Sequence, residues 1–179
     1  MPTKPTILMH ACCAVCAMHP FQFLSAHYDL TLYYYNPNIH PEEEYERRLD
    51  GIKFISQKYD IPLIIGKYDP ERWFEAAKGL EDEPEGGARC LRCFRLRLKE
   101  SARRAKELGF TIYGTTLSVS PHKNAEAINN LGKAEARSFD IDFYTADFKK
   151  KDGFKKTILL SKQINLYRQN YCGCLYSQK

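Results

Sequence analysis

Thr6-Ile7-Leu8-Met9-His10-Ala11-Cys12-Cys13-Ala14-Val15-Cys16 is the stretch from which the fold is read. The apolar run over residues 6–9 is short and stops at a cysteine-bearing loop, which suits a buried strand. Similar runs recur downstream. Residues 29–35, DLTLYYY, form a second strand stopped by Asn36-Pro37-Asn38, and residues 62–66, 110–113 and 141–144 supply three more. Helical patterns alternate with them. Pro41 opens a helix in which Glu42, Glu43 and Glu44 suit the positive end of the dipole. Tyr45, Leu49, Ile52, Ile55 and Tyr59 recur along it at helical spacing. Further helices are expected over residues 70–78, 90–108, 124–137 and 154–165. In the second of these, Leu91, Phe94, Leu98, Ala102, Ala105 and Leu108 form the apolar stripe, with Arg92, Arg95, Arg103 and Arg104 off it. The acidic segment 80–87, LEDEPEGG, is a loop.

Alternating strands and helices predict an α/β fold with a mainly parallel sheet flanked by helices, organised as a single domain over residues 1–179. Ligands of such sheets bind beyond the carboxyl ends of the strands. The first cysteine group directly follows the first strand, and the loop over residues 118–123 follows the fourth. Both are therefore expected to open onto one edge.

The 179 residues carry a net charge of +5, with 44% hydrophobic and 27% charged residues, ordinary values for a globular domain. The positive balance permits an anionic partner such as RNA without establishing one. No run approaches the roughly 20 apolar residues of a membrane helix, so no membrane partner is expected. The N-terminus runs straight into cysteines and does not read as a signal peptide, which makes the expected location cytoplasmic.

Seven cysteines stand in three groups: Cys12, Cys13 and Cys16; Cys90 and Cys93; Cys172 and Cys174. An odd number cannot all pair, and a reduced compartment has little use for structural disulfides, so clustered cysteines there read as metal ligands or redox catalysts. Cys13 and Cys16 form a C-x-x-C, and Cys90 and Cys93 form another at a helix N-terminus, where free N–H groups and the dipole favour thiolates. Buried free cysteine accounts for one or two such residues, not for three groups. Zinc and iron–sulfur both suit thiolates, and the spacing does not decide between them. A disulfide within Cys172-Gly173-Cys174 would close a small, strained ring that is easily reduced, as a working redox couple requires; an incidental metal pair is the other reading.

His10 and His19 flank the first cysteine group, where His10 could serve a sulfur, an acid role or simply the core. His27 reads as surface, and His40 and His122 as loop residues. Asp69 and Asp147 follow strands as candidate oxygen ligands, proton donors or helix caps. Lys149, Lys150, Lys151, Lys155 and Lys156 form a basic run that reads as a solvated face.

His10-Ala11-Cys12-Cys13-Ala14-Val15-Cys16, the Cys90/Cys93 pair, Thr115-Thr116-Leu117 with Ser120-Pro121-His122-Lys123, and the tail from Asp147-Phe148-Lys149-Lys150 through Tyr167-Arg168-Gln169 to Tyr171-Cys172-Gly173-Cys174 together resemble the QueH-type epoxyqueuosine reductases. Val15 departs from the family pattern, which usually has proline there. The resemblance implies a PP-loop/HUP-like, Rossmann-like fold, with cysteines in place of a phosphate-gripping loop. It implies two-electron removal of the epoxide oxygen from epoxyqueuosine at the tRNA wobble position, without cobalamin. Cys12, Cys13, Cys90 and Cys93 become the expected ligands of a [4Fe-4S] cluster, and Cys172 and Cys174 the redox-active pair, on a tail (about residues 147–179) closing over the site. An additional iron, the electron donor, the proton donor and the role of Cys16 stay open. The tRNA anticodon loop is the expected partner, with the basic surface and aromatics such as Tyr33, Tyr34 and Tyr35 as candidate contacts. The other classes weighed are a zinc-stabilised RNA-binding module and a PP-loop sulfur-transfer enzyme, which lacks its glycine-rich loop here.

Overall fold

The strand β1 (Thr6–His10) lies at the centre of a five-stranded parallel sheet in a computed structural model that describes residues 4–178. The reading of the extreme N-terminus as carrying no leader begins on residues outside that range. Chain order is β1, α1 (Ala14–Leu24), β2 (Asp29–Tyr34), α2 (Glu42–Lys58), β3 (Leu63–Ile65), α3 (Pro70–Ala77), α4 (Ala88–Glu107), β4 (Ile112–Thr115), α5 (Ala125–Ser138), β5 (Asp142–Phe143) and α6 (Gly153–Gln163). Short 3-10 turns cover Leu117–Val119 and Leu175–Ser177. The sheet order is β3-β2-β1-β4-β5. The chain therefore moves outward from β1 in one direction, then restarts on its other side with β4. That reversal between β1 and β4 is where parallel α/β sheets open a crevice for ligands.

Period-two alternation assigns the two faces. Ile7, Met9, Leu30, Leu32 and Tyr34 join the core beneath α1 and α2, whereas Leu8, Tyr33, Tyr35 and Tyr113 join the core beneath α4 and α5. Every residue of the tyrosine run 33–35 is buried, so these aromatics are core and do not stack on RNA. Asn124 caps α5 by accepting from the Ala127 N–H at 3.0 Å, and Pro70 starts α3 with its φ already helical. No helix among the described residues is long and apolar enough to cross a membrane.

Helix α1 was not expected from the sequence, which reads the cysteine group at its start as loop and assigns no element to the residues after it. It starts inside the first cysteine group, and it contains Pro20. Proline has no N–H to donate to the carbonyl four residues back, here that of Cys16. The burial of Val15, Ala17, Met18 and Leu24 and packing against α6 hold the helix despite that loss. Val15 sits in its first turn, where N–H groups lack intrahelical partners in any case. The departure from proline there changes little in hydrogen bonding.

Candidate metal centre

The loop joining β1 to α1 places three thiols together. Cys13 is the N-cap of α1, with extended backbone, and its Sγ accepts from the Cys16 N–H at 3.4 Å. One helical turn thereby brings Cys16 back beside it, and the sulfurs of Cys12, Cys13 and Cys16 all lie within 4.8 Å of one another. The other wall is the turn after β4. The Thr116 N–H donates to the His10 carbonyl at 2.9 Å, the Cys12 N–H donates to Thr116 Oγ1 at 3.2 Å, and that oxygen stands 3.5 Å from Cys12 Sγ. The triad thus sits at the β1/β4 switch point.

His10 lies beneath it with no exposed surface. Its Nε2 is 3.0 Å from the Tyr35 carbonyl and its Nδ1 2.9 Å from Thr115 Oγ1. A carbonyl can only accept, so Nε2 carries the proton and Nδ1 accepts from the threonine hydroxyl. Burial first, then the Arg97 charge, pull its pKa down to about 4, so the ring stays neutral. Both ring nitrogens are occupied by the scaffold, and neither serves a sulfur.

Cys12 is the first of the three thiols to ionise, because the S–H groups of Cys13 and Cys16 hydrogen-bond to it and Lys123 adds a positive field. The same hydrogen bonds push Cys13 up to about 11 and Cys16 upward. Metal binding to such a set releases the remaining protons. The C-x-x-C spacing of Cys13 and Cys16 already set Cys16 in the first group, but its role there was open, and the structure brings its sulfur beside those of Cys12 and Cys13. The signal was its i+3 offset from an N-cap residue, legible only once a helix is placed there.

The second C-x-x-C opens α4. Cys90 is half-buried and its Sγ accepts from the Gly86 N–H at 3.2 Å, while Cys93 is buried. The loop 80–87 winds round Arg89, whose Nη1 donates to the carbonyls of Leu80, Glu81 and Glu83. Cys93 packs with Trp73, Ala77 and Cys174, so the tail meets the second group. The tail is held from α2. Arg48 donates to the carbonyls of Cys172 and Tyr171 at 2.9 and 3.1 Å, and the His40 N–H donates to the Gly173 carbonyl at 2.8 Å. Gly173 has φ +108°, and a Cβ there would stand 2.9 Å from Arg48 Nη1 and Ile39 Cγ1. Further back, Gln169 Nε2 donates to Cys13 Sγ at 3.0 Å. One chain segment thus touches both cysteine groups.

A cavity of about 980 Å³ opens above this arrangement, with Cys12, Cys16 and Cys172 among its walls. Arg48, Arg97, Lys123 and Arg168 also line it, against Glu85 as the one acidic residue among the described lining positions. His122 reaches the rim, whereas Asp69 and Asp147 are absent from the lining. Those carboxylates lie by Arg72 and Lys149 instead, at 4.0 and 3.1 Å. In the basic run, Lys155 pairs with Asp152 at 3.2 Å, and His27 is exposed as expected.

A Rossmann-like α/β sheet with clustered thiols at its switch point, facing a cationic cavity, defines a thiol-based redox or metal protein. The comparisons narrow the class. The family model described as "Epoxyqueuosine reductase QueH" matches residues 7–179. Epoxyqueuosine reductase QueH of Streptococcus pyogenes serotype M1 is 37% identical over 98% of this chain and 71% of that protein. The Acinetobacter baylyi protein of the same name is 40% identical over 96% and 79%. The one from Thermotoga maritima is 34% identical over 96% and 90%. Among solved structures, the U34-tRNA thiolase NcsA from Methanococcus maripaludis with its [4Fe-4S] cluster superposes with TM-score 0.58 at 12% identity, over 99% of this chain and 63% of that one, a likeness of fold. The chain belongs to the epoxyqueuosine reductase QueH family, and is therefore an oxidoreductase of queuosine-type tRNA modification.

Proposed function

We propose that this chain reduces epoxyqueuosine in the anticodon loop of tRNA to queuosine, with a [4Fe-4S] cluster on its cysteines and a dithiol supplying the electron pair. The observation that carries the reading is the set of three sulfurs within 4.8 Å at the switch point, opening on a cavity lined by four cations. Soft thiolates suit iron–sulfur centres, and the nearby positive charges suit an anionic centre. The donor set therefore fits the group, and the structural likeness to a cluster-bearing tRNA thiolase agrees with it.

By family resemblance Cys12, Cys13, Cys90 and Cys93 hold the cluster. Arg97, one turn after Cys93, lines the same cavity as Cys12, which favours that set, whereas the closeness of Cys16 to Cys12 and Cys13 favours Cys16 in place of Cys90. Bound there, the cluster supplies single-electron transfer. Cys172 and Cys174 supply two electrons: both epoxide C–O bonds break, a C=C bond forms, and the oxygen leaves as water. The two thiols give up their protons and electrons in closing a disulfide, which an external reductant of unknown identity reopens. The tail from about residue 147 belongs to the same α/β domain and closes the site, and the basic surface outside the cavity holds the RNA phosphates.

Anaerobic iron and sulfide analysis of single Cys→Ser variants tests the assignment. Loss of iron at positions 12, 13, 90 and 93, with iron retained but turnover lost at 172 and 174, is the expected pattern. Iron lost at 16 and kept at 90 selects the second ligand set, and colourless variants at 172 and 174 would move the tail pair into the metal site. A colourless, zinc-loaded wild type would overturn the redox reading.

A further inference from the structure

Arg97 is the anomaly of this site. It lies on α4, one turn beyond Cys93, and only 2% of it is exposed. A buried guanidinium normally has a carboxylate or well-made hydrogen bonds around it. The other buried arginines do: Arg48 meets Glu44 at 2.7 Å, and Arg89 meets three carbonyls. Arg97 has no carboxylate within 4.0 Å among the described residues. Its two hydrogen bonds, to Asn36 Oδ1 and to the Cys93 carbonyl, are long at 3.4 Å. Its Nη2 has no partner among the described residues. The remaining neighbour is the Phe94 ring, 5.7 Å away.

A lone charge in such a place must have an anion, and the candidates are sulfur. Arg97 lines the cavity together with Cys12, Cys16 and Cys172, and it donates to the carbonyl of Cys93 one turn before it, so members of all three cysteine groups stand around it. Lys123 repeats the arrangement from the turn after β4. It too lines the cavity, whose walls also carry Cys12, Cys16 and Cys172, without a carboxylate within 4.0 Å among the described residues. Asn36 fixes the guanidinium in turn: its Oδ1 accepts from Arg97 while its Nδ2 donates to the Ala11 carbonyl at 2.9 Å, just before the triad.

We propose that Arg97, seconded by Lys123, is a positioning residue that supplies the fixed countercharge of the thiolate-bound centre and so sets its reduction potential. The inference rests on the iron–sulfur reading given above. Reduction adds negative charge to the centre, and a fixed cation beside it favours the more negative state. Net charge and hydrogen bonds at the sulfurs are among the factors by which proteins tune such centres. Removing the cation must therefore disfavour reduction.

The test is an anaerobic redox titration of the iron-loaded enzyme, followed by its absorption or EPR signal, with urea unfolding of each variant alongside. Arg97→Met is expected to shift the one-electron equilibrium at least tenfold against reduction, equivalent to a potential lower by about 59 mV. Arg97→Lys, which keeps the charge, is expected to stay within threefold of wild type, and Lys123→Met to move the same way as Arg97→Met by a smaller factor. A structural role would lower the unfolding midpoint of Arg97→Met and Arg97→Lys alike and leave the potential within threefold; that result overturns the proposal. If Arg97→Met fails to load iron, Arg97→Lys and Lys123→Met decide. A wild-type potential in the first with a lowered one in the second supports the countercharge, and an unshifted Lys123→Met refutes it. A wild type with no iron–sulfur absorption would instead sink the underlying reading, and the two failures are told apart by that spectrum.

Discussion

Replacing Arg48 by methionine is expected to destabilise the protein and to release the tail. The Nε of Arg48 stands 2.7 Å from Glu44 Oε1, and the two side chains are 2% and 8% exposed. Breaking such a buried pair from one side costs about 3–5 kcal/mol, because the surviving charge stays buried without its partner. The Tyr167 hydroxyl, which donates to Glu44 Oε2 at 2.9 Å, softens the loss only in part. The carbonyls of Tyr171 and Cys172 also lose their donor, and the Tyr171 ring loses a guanidinium 5.1 Å from its centroid. With a urea m-value of about 2 kcal/mol/M, a loss of about 4 kcal/mol moves the unfolding midpoint by about 2 M. Hydrogen exchange supplies the local readout, since the His40 amide bonded to the Gly173 carbonyl should lose protection. Glu44→Gln combined with Arg48→Met should cost less than the two singles added, by about 0.5–3 kcal/mol. A single variant within about 1 kcal/mol of wild type, or strict additivity in the double, would refute the clamp.

Gly132 lies inside α5, where alanine ordinarily gains about 1 kcal/mol. An added Cβ would run into the edge of the Phe143 ring, so Gly132→Ala should instead lose about 1–3 kcal/mol by overpacking, read as a lowered thermal midpoint; an unchanged or raised midpoint would contradict the contact. On the alkaline side, burial raises Tyr45 to about 12, and raises Tyr34 and Tyr113 as well. Above pH 10 the unfolded chain gives up these protons first, so stability present below pH 10 falls as pH rises through 12. Tyr45→Phe should flatten that fall by about 2 kcal/mol between pH 10 and 12 in urea melts; an unaltered slope would show that Tyr45 ionises freely when folded.

The alternation of strands and helices was legible in the sequence because each element carries its own periodicity. Helix α2 shows the stripe Tyr45, Leu49, Ile52 and Ile55, and all four are buried. The misses have physical causes. Pro20 and the cysteines masked α1, whose stability comes from tertiary burial rather than local preference. The fourth strand, read over residues 110–113, runs over Ile112–Thr115. Phe110 belongs to the end of α4, its N–H bonding back to the Ala105 carbonyl beyond Gly109 at φ +81°. Three cysteine groups were visible as groups, but their mutual placement depends on a long-range contact between tail and α4 that no local pattern encodes. Arg97 was invisible among the arginines of α4, although it sits three residues after Phe94 and four after Cys93, on the buried face.

The most direct test of the central claim is an anaerobic single-turnover reaction of iron-loaded protein with an anticodon stem-loop carrying epoxyqueuosine, followed by mass spectrometry of the nucleosides. The expected result is conversion to queuosine, with loss of one oxygen, in the wild type and not in Cys12→Ser or Cys174→Ser. Unchanged epoxyqueuosine with a fully loaded, reduced wild-type protein, or equal conversion by the Cys12→Ser variant, would contradict it.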